Sequence, residues 1–289
     1  MKVLILGATG MLGYSLFSNL SDQANLSVFG TVRNIKGKES YFSGLENNLI
    51  TGVDAYDIEA LERAISIVNP SVVINCIGLI KQHSISKQHI DAVKINALLP
   101  HELTNICDKF GAKLIHFSTD CVFTGETGLY TEESLPDSRD LYGKSKCLGE
   151  VDCGNHLTLR TSIIGHELTS SVSLIDWFLS QNVSTNGFSK AVFSGLPTCY
   201  IAKLLAEHIL PNPSLIGLYH LSVDPIDKFT LLSLVADIYG KNIEIKKSEE
   251  LVIDRSLNSD NFRAVTQFQP PSWPELIEYM HIDYTKRYQ

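Results

Sequence analysis

Three residues near the middle of the chain have the types and spacing to move a proton onto a carbonyl oxygen: Thr119, Tyr142 and Lys146. Tyr142 and Lys146 stand at i and i+4, which puts both side chains on one face of a helix. An ammonium beside a phenol favours the phenolate and is expected to lower the tyrosine's pKa. A tyrosine so tuned gives a proton to a carbonyl oxygen or takes one back, and the Thr119 hydroxyl can hold the same oxygen. The set suits interconversion of a ketone and an alcohol, and it needs a hydride donor. A solvated helix face can also carry Y-x-x-x-K by chance, so the rest of the chain must supply the donor's site.

That site is read at the N-terminus. An apolar run over 3–6 is followed by Gly7-Ala8-Thr9-Gly10-Met11-Leu12-Gly13 and then by an amphipathic stretch. Strand, glycine turn and helix form a dinucleotide-binding start, in which the backbone approaches a pyrophosphate and the helix N-terminus faces its charge. The expected cofactor contacts are Gly7, Thr9, Gly10, Met11, Leu12 and Gly13. A second strand over 26–32 ends at Arg33, where an NAD site usually places an acid. A cation suits a 2′-phosphate, so NADPH is favoured, with NADH as the other candidate. Asp54, after a third strand over 49–53, either touches the adenine or serves as a turn residue. Asp57 should cap a helix over 58–68.

The run 71–78 is apolar enough for a strand buried on both faces. Its end, Asn75-Cys76-Ile77-Gly78, lies where ligands bind in doubly wound sheets. The loop that follows carries Lys81 and His83, which either meet a charged substrate or form a wet loop. Asn96, in a helix over 90–110, needs hydrogen-bond partners, and its amide is placed to order a water near Lys146. Lys113 opens a short buried strand over 113–117 that delivers Ser118, Thr119 and Asp120 at its end. Further strands are expected over 157–164 and 215–221, and helices over 171–182 (with Trp177), 200–209, 228–239 and 273–280.

This alternation gives an α/β fold: a doubly wound parallel Rossmann sheet with a smaller C-terminal α+β substrate lobe. Residues 1–164 form the dinucleotide-binding part, segments near 196–222 return to it, and 165–289 are mainly the substrate lobe. With 289 residues, 44% of them hydrophobic and 19% charged, the chain is globular rather than disordered. A net charge of -8 argues against a nucleic-acid partner. No apolar run is long enough to span a membrane, and Met1 leads directly into the first strand, so a cytoplasmic protein is expected. The six cysteines form no C-x-x-C pair, and the nine histidines lack zinc-site spacing.

Together Gly7-x-x-Gly10-x-x-Gly13, Asn75, Asn96, Thr119, Tyr142 and Lys146 resemble the extended short-chain dehydrogenase/reductase family. The motifs S-T-D-x-V-F-x-G, the Y-x-E from Tyr130, Y-G-K-S-K-x-x-G-E, G-x-P-T and the late Arg255 resemble its dTDP-4-dehydrorhamnose reductase-like branch, over nearly the whole chain. The resemblance implies a nucleotide-sugar substrate: reduction of a 4-keto-6-deoxysugar for surface polysaccharide precursors. It implies that Tyr142 is the proton donor, that Lys146 tunes it and holds the nicotinamide ribose, that Thr119 binds the keto oxygen and that Asn96 supports the proton relay. The substrate face is read as Lys81, His83, Asp120, Cys121, Val122, Phe123, His166, Trp177 and Arg255. Homodimers are common among such relatives.

Cys121 departs from the branch, which usually has tyrosine there, and the stretch after Asn75 departs as well. Here the chain is similar to GDP-fucose synthase, which uses a cysteine two residues past its catalytic serine, together with a histidine, for epimerisation. Cys121 with His166 is therefore an alternative catalytic pair, and a small pocket-filling cysteine is the plainer one. A further alternative is a non-catalytic NADP-binding subunit, because the regulatory subunit of methionine adenosyltransferase resembles the same reductases.

Overall fold

A computed structural model of the chain describes residues 1–79 and 88–289; Lys81 and His83 lie outside the described residues. The first half runs β1 (Lys2–Leu6), α1 (Met11–Ser21), β2 (Ser27–Val32), β3 (Leu49–Thr51), α2 (Ile58–Val68) and β4 (Val72–Asn75). It continues with α3 (His89–Ala92), a π-helical stretch Val93–Leu98, α4 (Leu99–Phe110), β5 (Lys113–Thr119), α5 (Leu141–Leu148) and β6 (Leu157–Thr161). Then follow β7 (Ile163–Ile164), α6 (Leu174–Ser180), β8 (Ser184–Phe188), β9 (Ala191–Phe193), β10 (Leu196–Pro197), α7 (Thr198–Leu204) and β11 (Gly217–His220). The chain closes with β12 (Ile226–Asp227), α8 (Lys228–Ile238), β13 (Glu244–Ser248), β14 (Ile253–Asp254), α9 (Asp260–Thr266) and α10 (Trp273–Arg287).

Seven strands form one parallel sheet in the order β11-β6-β5-β4-β1-β2-β3. The order reverses between β1 and β4, the place where doubly wound sheets bind ligands beyond their carboxyl ends. Side chains alternate across each strand. Val3, Ile5, Ile74, Ile115 and Phe117 enter one core with α1, α7, α8 and α10. Leu4, Leu6, Val73 and Leu114 enter the other with α2 and α4. Asp57 caps α2 by accepting from Ala60 N at 2.9 Å, as its sequence position predicts.

The second half supplies one wall of a cleft. β9 pairs with β12 and β14, and β8 pairs with β13. Sequence reading misses β8 and β13 because they are short, polar and half exposed. The strand expected over 157–164 breaks at Ser162, whose carbonyl accepts from Leu196 N, so that Ile163–Ile164 pairs separately with β10. The last helix runs past the expected Met280 to Arg287. Asp283 is buried there and binds Arg287 Nε at 2.8 Å, and Arg287 also reaches Asp22.

Candidate functional site

A cavity of about 530 Å³ opens at the carboxyl ends of the central strands. Gly10, Met11 and Leu12 line it after β1, Asn75 to Leu79 after β4, and Phe117 to Cys121 at the end of β5. Tyr142 and Lys146 enter from α5. The facing wall carries Ser173, Leu174, Phe193, Lys228 and Arg255.

The turn after β1 is shaped for a backbone to be approached closely. Gly7 has φ +83°, a conformation that side chains rarely adopt, and a Cβ on Gly13 would drive into the Gly7 carbonyl oxygen. Gly10 caps α1 without any side-chain hydrogen bond, and no acid stands in the helix's first turn. The positive end of the helix is thus left bare where the cavity begins, which fits an anionic dinucleotide. Thr9 lies half-buried in this turn. Arg33 is exposed just past β2. Asp54 makes a local turn contact, its Oδ1 accepting from Tyr56 N at 3.0 Å. Tyr56 in turn donates to Asp91 Oδ1 at 2.8 Å.

Thr119 and Asp120 end up buried at the tip of β5. The Thr119 hydroxyl donates to Asp120 Oδ1 at 3.1 Å and accepts from Cys121 N at 3.1 Å, tightening the chain into a single turn. Burial raises the Asp120 pKa, and Arg255 and the nearby donors hold it down. Asp140 caps α5 by accepting from Gly143 N at 2.8 Å. A Cβ at Gly143 would strike the Cys121 carbonyl oxygen, so this glycine lets α5 lie against the Thr119 turn.

Tyr142 and Lys146 do share a face, but the expected lowering of the tyrosine is not found. Burial pushes the phenol well above its ordinary value, the Cys121 thiol adds to this, and a side-chain hydrogen bond with Thr119 acts the other way. Burial also lowers Lys146 to about 8, opposed by Glu150. The physical reason is that both groups have left water, and desolvation penalises each charged form more than proximity rewards it. Lys146 Nζ donates to Phe117 O at 2.7 Å and lies 3.3 Å from His116 Nε2.

Asn96 sits in the π-helical stretch, where its amide binds protein groups. Its Oδ1 accepts from Leu79 N at 2.8 Å, while Nδ2 donates to Leu79 O and to Ser145 Oγ, each at 3.2 Å. It therefore ties the loop after β4 to α5. Asn75 Oδ1 accepts from Ile77 N at 3.0 Å, and Nδ2 faces His116 Nδ1 at 3.1 Å. Cys76, Ile77 and Gly78 line the cavity beside it, and burial raises the Cys76 thiol pKa.

Several expected substrate contacts fall elsewhere. His166 is buried in an aromatic cluster, with Nδ1 2.5 Å from Asp176 Oδ1, Nε2 2.9 Å from the Tyr239 hydroxyl, and the Tyr284 ring 4.2 Å away. Both its ring nitrogens are occupied, so it is no partner for Cys121. The residue 3.6 Å from Cys121 Sγ is instead Arg255, through Nη1. Val122 and Phe123 are fully buried in a small core with Tyr130 and Leu257, where Phe123 stacks on Tyr130 at 4.2 Å. They support the Thr119 turn from behind. Trp177 is 38% exposed and does not line the cavity; α6 turns Leu174 to it instead.

Other motif residues prove to be structural. Ser118 donates to Glu150 Oε1 at 2.6 Å, and Arg160 grips both Glu150 oxygens at 2.7 Å, which joins S-T-D to the closing G-E. The Tyr130 hydroxyl accepts from Gly125, Glu126 and Thr127 N–H, and Glu132 accepts from His220 N at 2.8 Å. Two groups at the site escape sequence reading, His116 behind the cavity wall and Lys228 on it. His116 reads only as part of an apolar strand. Lys228 is a cation in the first turn of α8, a placement the helix dipole disfavours, and that is the signal that marks it. Burial lowers the Lys228 pKa, and Asp120 and Cys121 act against this.

Among the described residues no cluster of His, Cys, Asp and Glu could hold a metal ion. Among them, too, no helix is long and apolar enough to cross a membrane.

The model of one protein family, the RmlD substrate binding domain, matches residues 1–237. Methionine adenosyltransferase 2 subunit beta of Rattus norvegicus is 27% identical over 261 residues, covering 83% of this chain and 72% of that protein. The dTDP-4-dehydrorhamnose reductase of Bacillus anthracis str. Ames, solved in complex with NADP, superposes with a TM-score of 0.78 at 21% identity, covering 98% of this chain and 99% of the other. A hypothetical dTDP-4-dehydrorhamnose reductase from Sulfolobus tokodaii gives a TM-score of 0.76 at 26% identity, over 94% of this chain and 98% of that one.

Proposed function

The chain belongs to the RmlD substrate binding domain family, and from that premise we propose that it reduces a nucleotide-linked 4-keto-6-deoxysugar to the 4-hydroxy sugar with NADPH. The observation that carries this reading is the meeting of Thr119, Tyr142 and Lys146 in the same cavity as the bare N-terminus of α1. The residues of the Gly7 to Gly13 turn, with Asn75 to Gly78, would hold the dinucleotide, and Arg33 would meet its 2′-phosphate. When bound, that group supplies the hydride.

Thr119 and Tyr142 hold the keto oxygen between them. The raised pKa of Tyr142 keeps the phenol protonated, ready to donate as negative charge develops on that oxygen. Asp120 holds sugar hydroxyls, and Lys228 and Arg255 on the facing wall give two cations suited to the diphosphate of a sugar nucleotide. Residues 1–164, with the return of 196–222, act as the dinucleotide-binding part and 165–289 mainly as the substrate lobe. We place the reaction in the cytoplasm, as a supply step for surface polysaccharide, and a homodimer is the form to test by light scattering.

The test is NADPH oxidation with dTDP-, UDP- and GDP-linked 4-keto-6-deoxysugars, the product being identified by NMR. Turnover of one of them, abolished in Tyr142→Phe, is the expected result. A second reading, a subunit that binds a partner without turnover, draws on the 27% identity to methionine adenosyltransferase 2 subunit beta. Silence across the panel, together with a stoichiometric protein partner, would replace the first reading with the second.

A further inference from the structure

The contacts of His116 constrain where protons can sit in the site. Asn75 Oδ1 takes the Ile77 backbone N–H at 3.0 Å, which fixes the amide's orientation, since a backbone N–H can only donate. Asn75 Nδ2, a donor only, therefore faces His116 Nδ1 at 3.1 Å. That ring nitrogen must be the acceptor, so the proton of the neutral imidazole is on Nε2. Nε2 in turn lies 3.3 Å from Lys146 Nζ. An ammonium has three N–H groups and no lone pair, and so cannot accept from Nε2–H. An uncharged amine can, while still donating to Phe117 O at 2.7 Å.

We infer that His116 is a positioning residue that favours the uncharged amine of Lys146 over the ammonium in the resting site. Charging Lys146 would set N–H against N–H, either at Nε2 or, with the other tautomer, at Asn75. The charged form is accommodated when Nζ leaves His116 and turns towards the cavity, where Tyr142 stands one helical turn earlier. The proton taken up comes from solvent through the open cavity, and only an N–H bond is made.

The surroundings support this assignment. His116 is held well below the ordinary imidazole range by burial, then by Lys146 and by His101. Lys146 itself is lowered by burial, with Glu150 as the opposing charge. The groups facing the pair are thus Asn75 from β4, His101 from α4, Tyr142 from α5 and Glu150 just beyond it. The preference for the amine stands on the contacts alone; its value to turnover rests on the reductase reading.

The test is heteronuclear NMR of the chain without ligand. In histidine-labelled protein, His116 should show a protonated Nε2 and a bare Nδ1, and the Lys146 Cε resonance should titrate near pH 8. His116→Gln offers Lys146 a carbonyl oxygen, and Asn75→Asp turns the ring to its Nδ1–H tautomer. Each should move the Lys146 titration upward by about one unit, the size of one buried hydrogen bond. A protonated Nδ1 in the wild type, or an unmoved Lys146 titration in both variants, overturns the inference. If neither variant folds, the wild-type tautomer decides by itself. The pH profile of kcat/KM should shift in step. A moved titration with an unmoved profile supports the inference and counts against Lys146 serving the reduction.

Discussion

Replacing Lys146 by methionine should stabilise the fold at neutral pH and destabilise it at high pH. The Lys146 pKa falls from 10.5 in the unfolded chain to about 8 in the fold, chiefly through burial. At 1.36 kcal/mol per unit, folding with the charge in place costs about 3 kcal/mol below pH 8. Between about 8 and 10.5 the unfolded chain keeps the proton that the folded chain has lost, so the penalty fades as pH rises, and above that window it is gone. Methionine removes the penalty but leaves Phe117 O without its donor, a loss of about 1 kcal/mol. Lys146→Met should therefore be about 2 kcal/mol more stable than wild type at pH 7 and about 1 kcal/mol less stable above pH 10.5. Urea unfolding at a series of pH values, read as the difference between the two proteins, tests this. The subtraction is needed because Cys76, Cys107 and Tyr142 all have raised pKa values and pull wild-type stability down as pH rises. A variant that is less stable at every pH would refute the reasoning, and with it the view that this lysine is kept at a cost to stability for the sake of the site.

Glu150→Gln should destabilise the fold by about 3–5 kcal/mol, because it strips a buried Arg160 guanidinium of its bidentate partner; chemical denaturation would show it. Lys228→Met should raise KM for the sugar nucleotide by roughly tenfold or more, the loss of one charge-assisted contact, with kcat little changed; an unchanged KM would remove Lys228 from the substrate's reach. Gly13→Ala should abolish NADPH binding by isothermal titration, since its Cβ would collide with the Gly7 carbonyl. His166→Gln should lower stability by about 1–2 kcal/mol through its lost partners Asp176 and Tyr239 while leaving turnover within a few-fold. Solvent deuterium entering the sugar with the wild type and not with that variant would instead reinstate the epimerase pair.

Local sequence carried much of the architecture. β1, the Gly7 to Gly13 turn and α1 were legible because the glycines, the apolar run and the amphipathic period all agree. Helix α2 was legible to the residue, since the Asp57 cap is local chemistry. Tyr142 and Lys146 could be placed on one face from spacing alone. The contacts of His166 and Trp177 were not legible. The aromatic neighbours of His166, Tyr239 and Tyr284, come from far along the chain, and an amphipathic pattern tells which stripe is buried but not against what.

By itself, the order of apolar runs, glycines and capping residues determined a doubly wound parallel sheet with a dinucleotide turn at its first strand, because those signals act within a few residues of each other. Which proton states the site adopts was decided only in three dimensions. Burial raises Tyr142 and lowers Lys146, Asn75 faces His116 while Phe117 O accepts from Lys146, and Lys228 crosses from the other half of the chain to face Asp120. Desolvation and hydrogen-bond geometry depend on every group that closes over a site, and those groups are brought together by the fold from strands and helices distant in the chain.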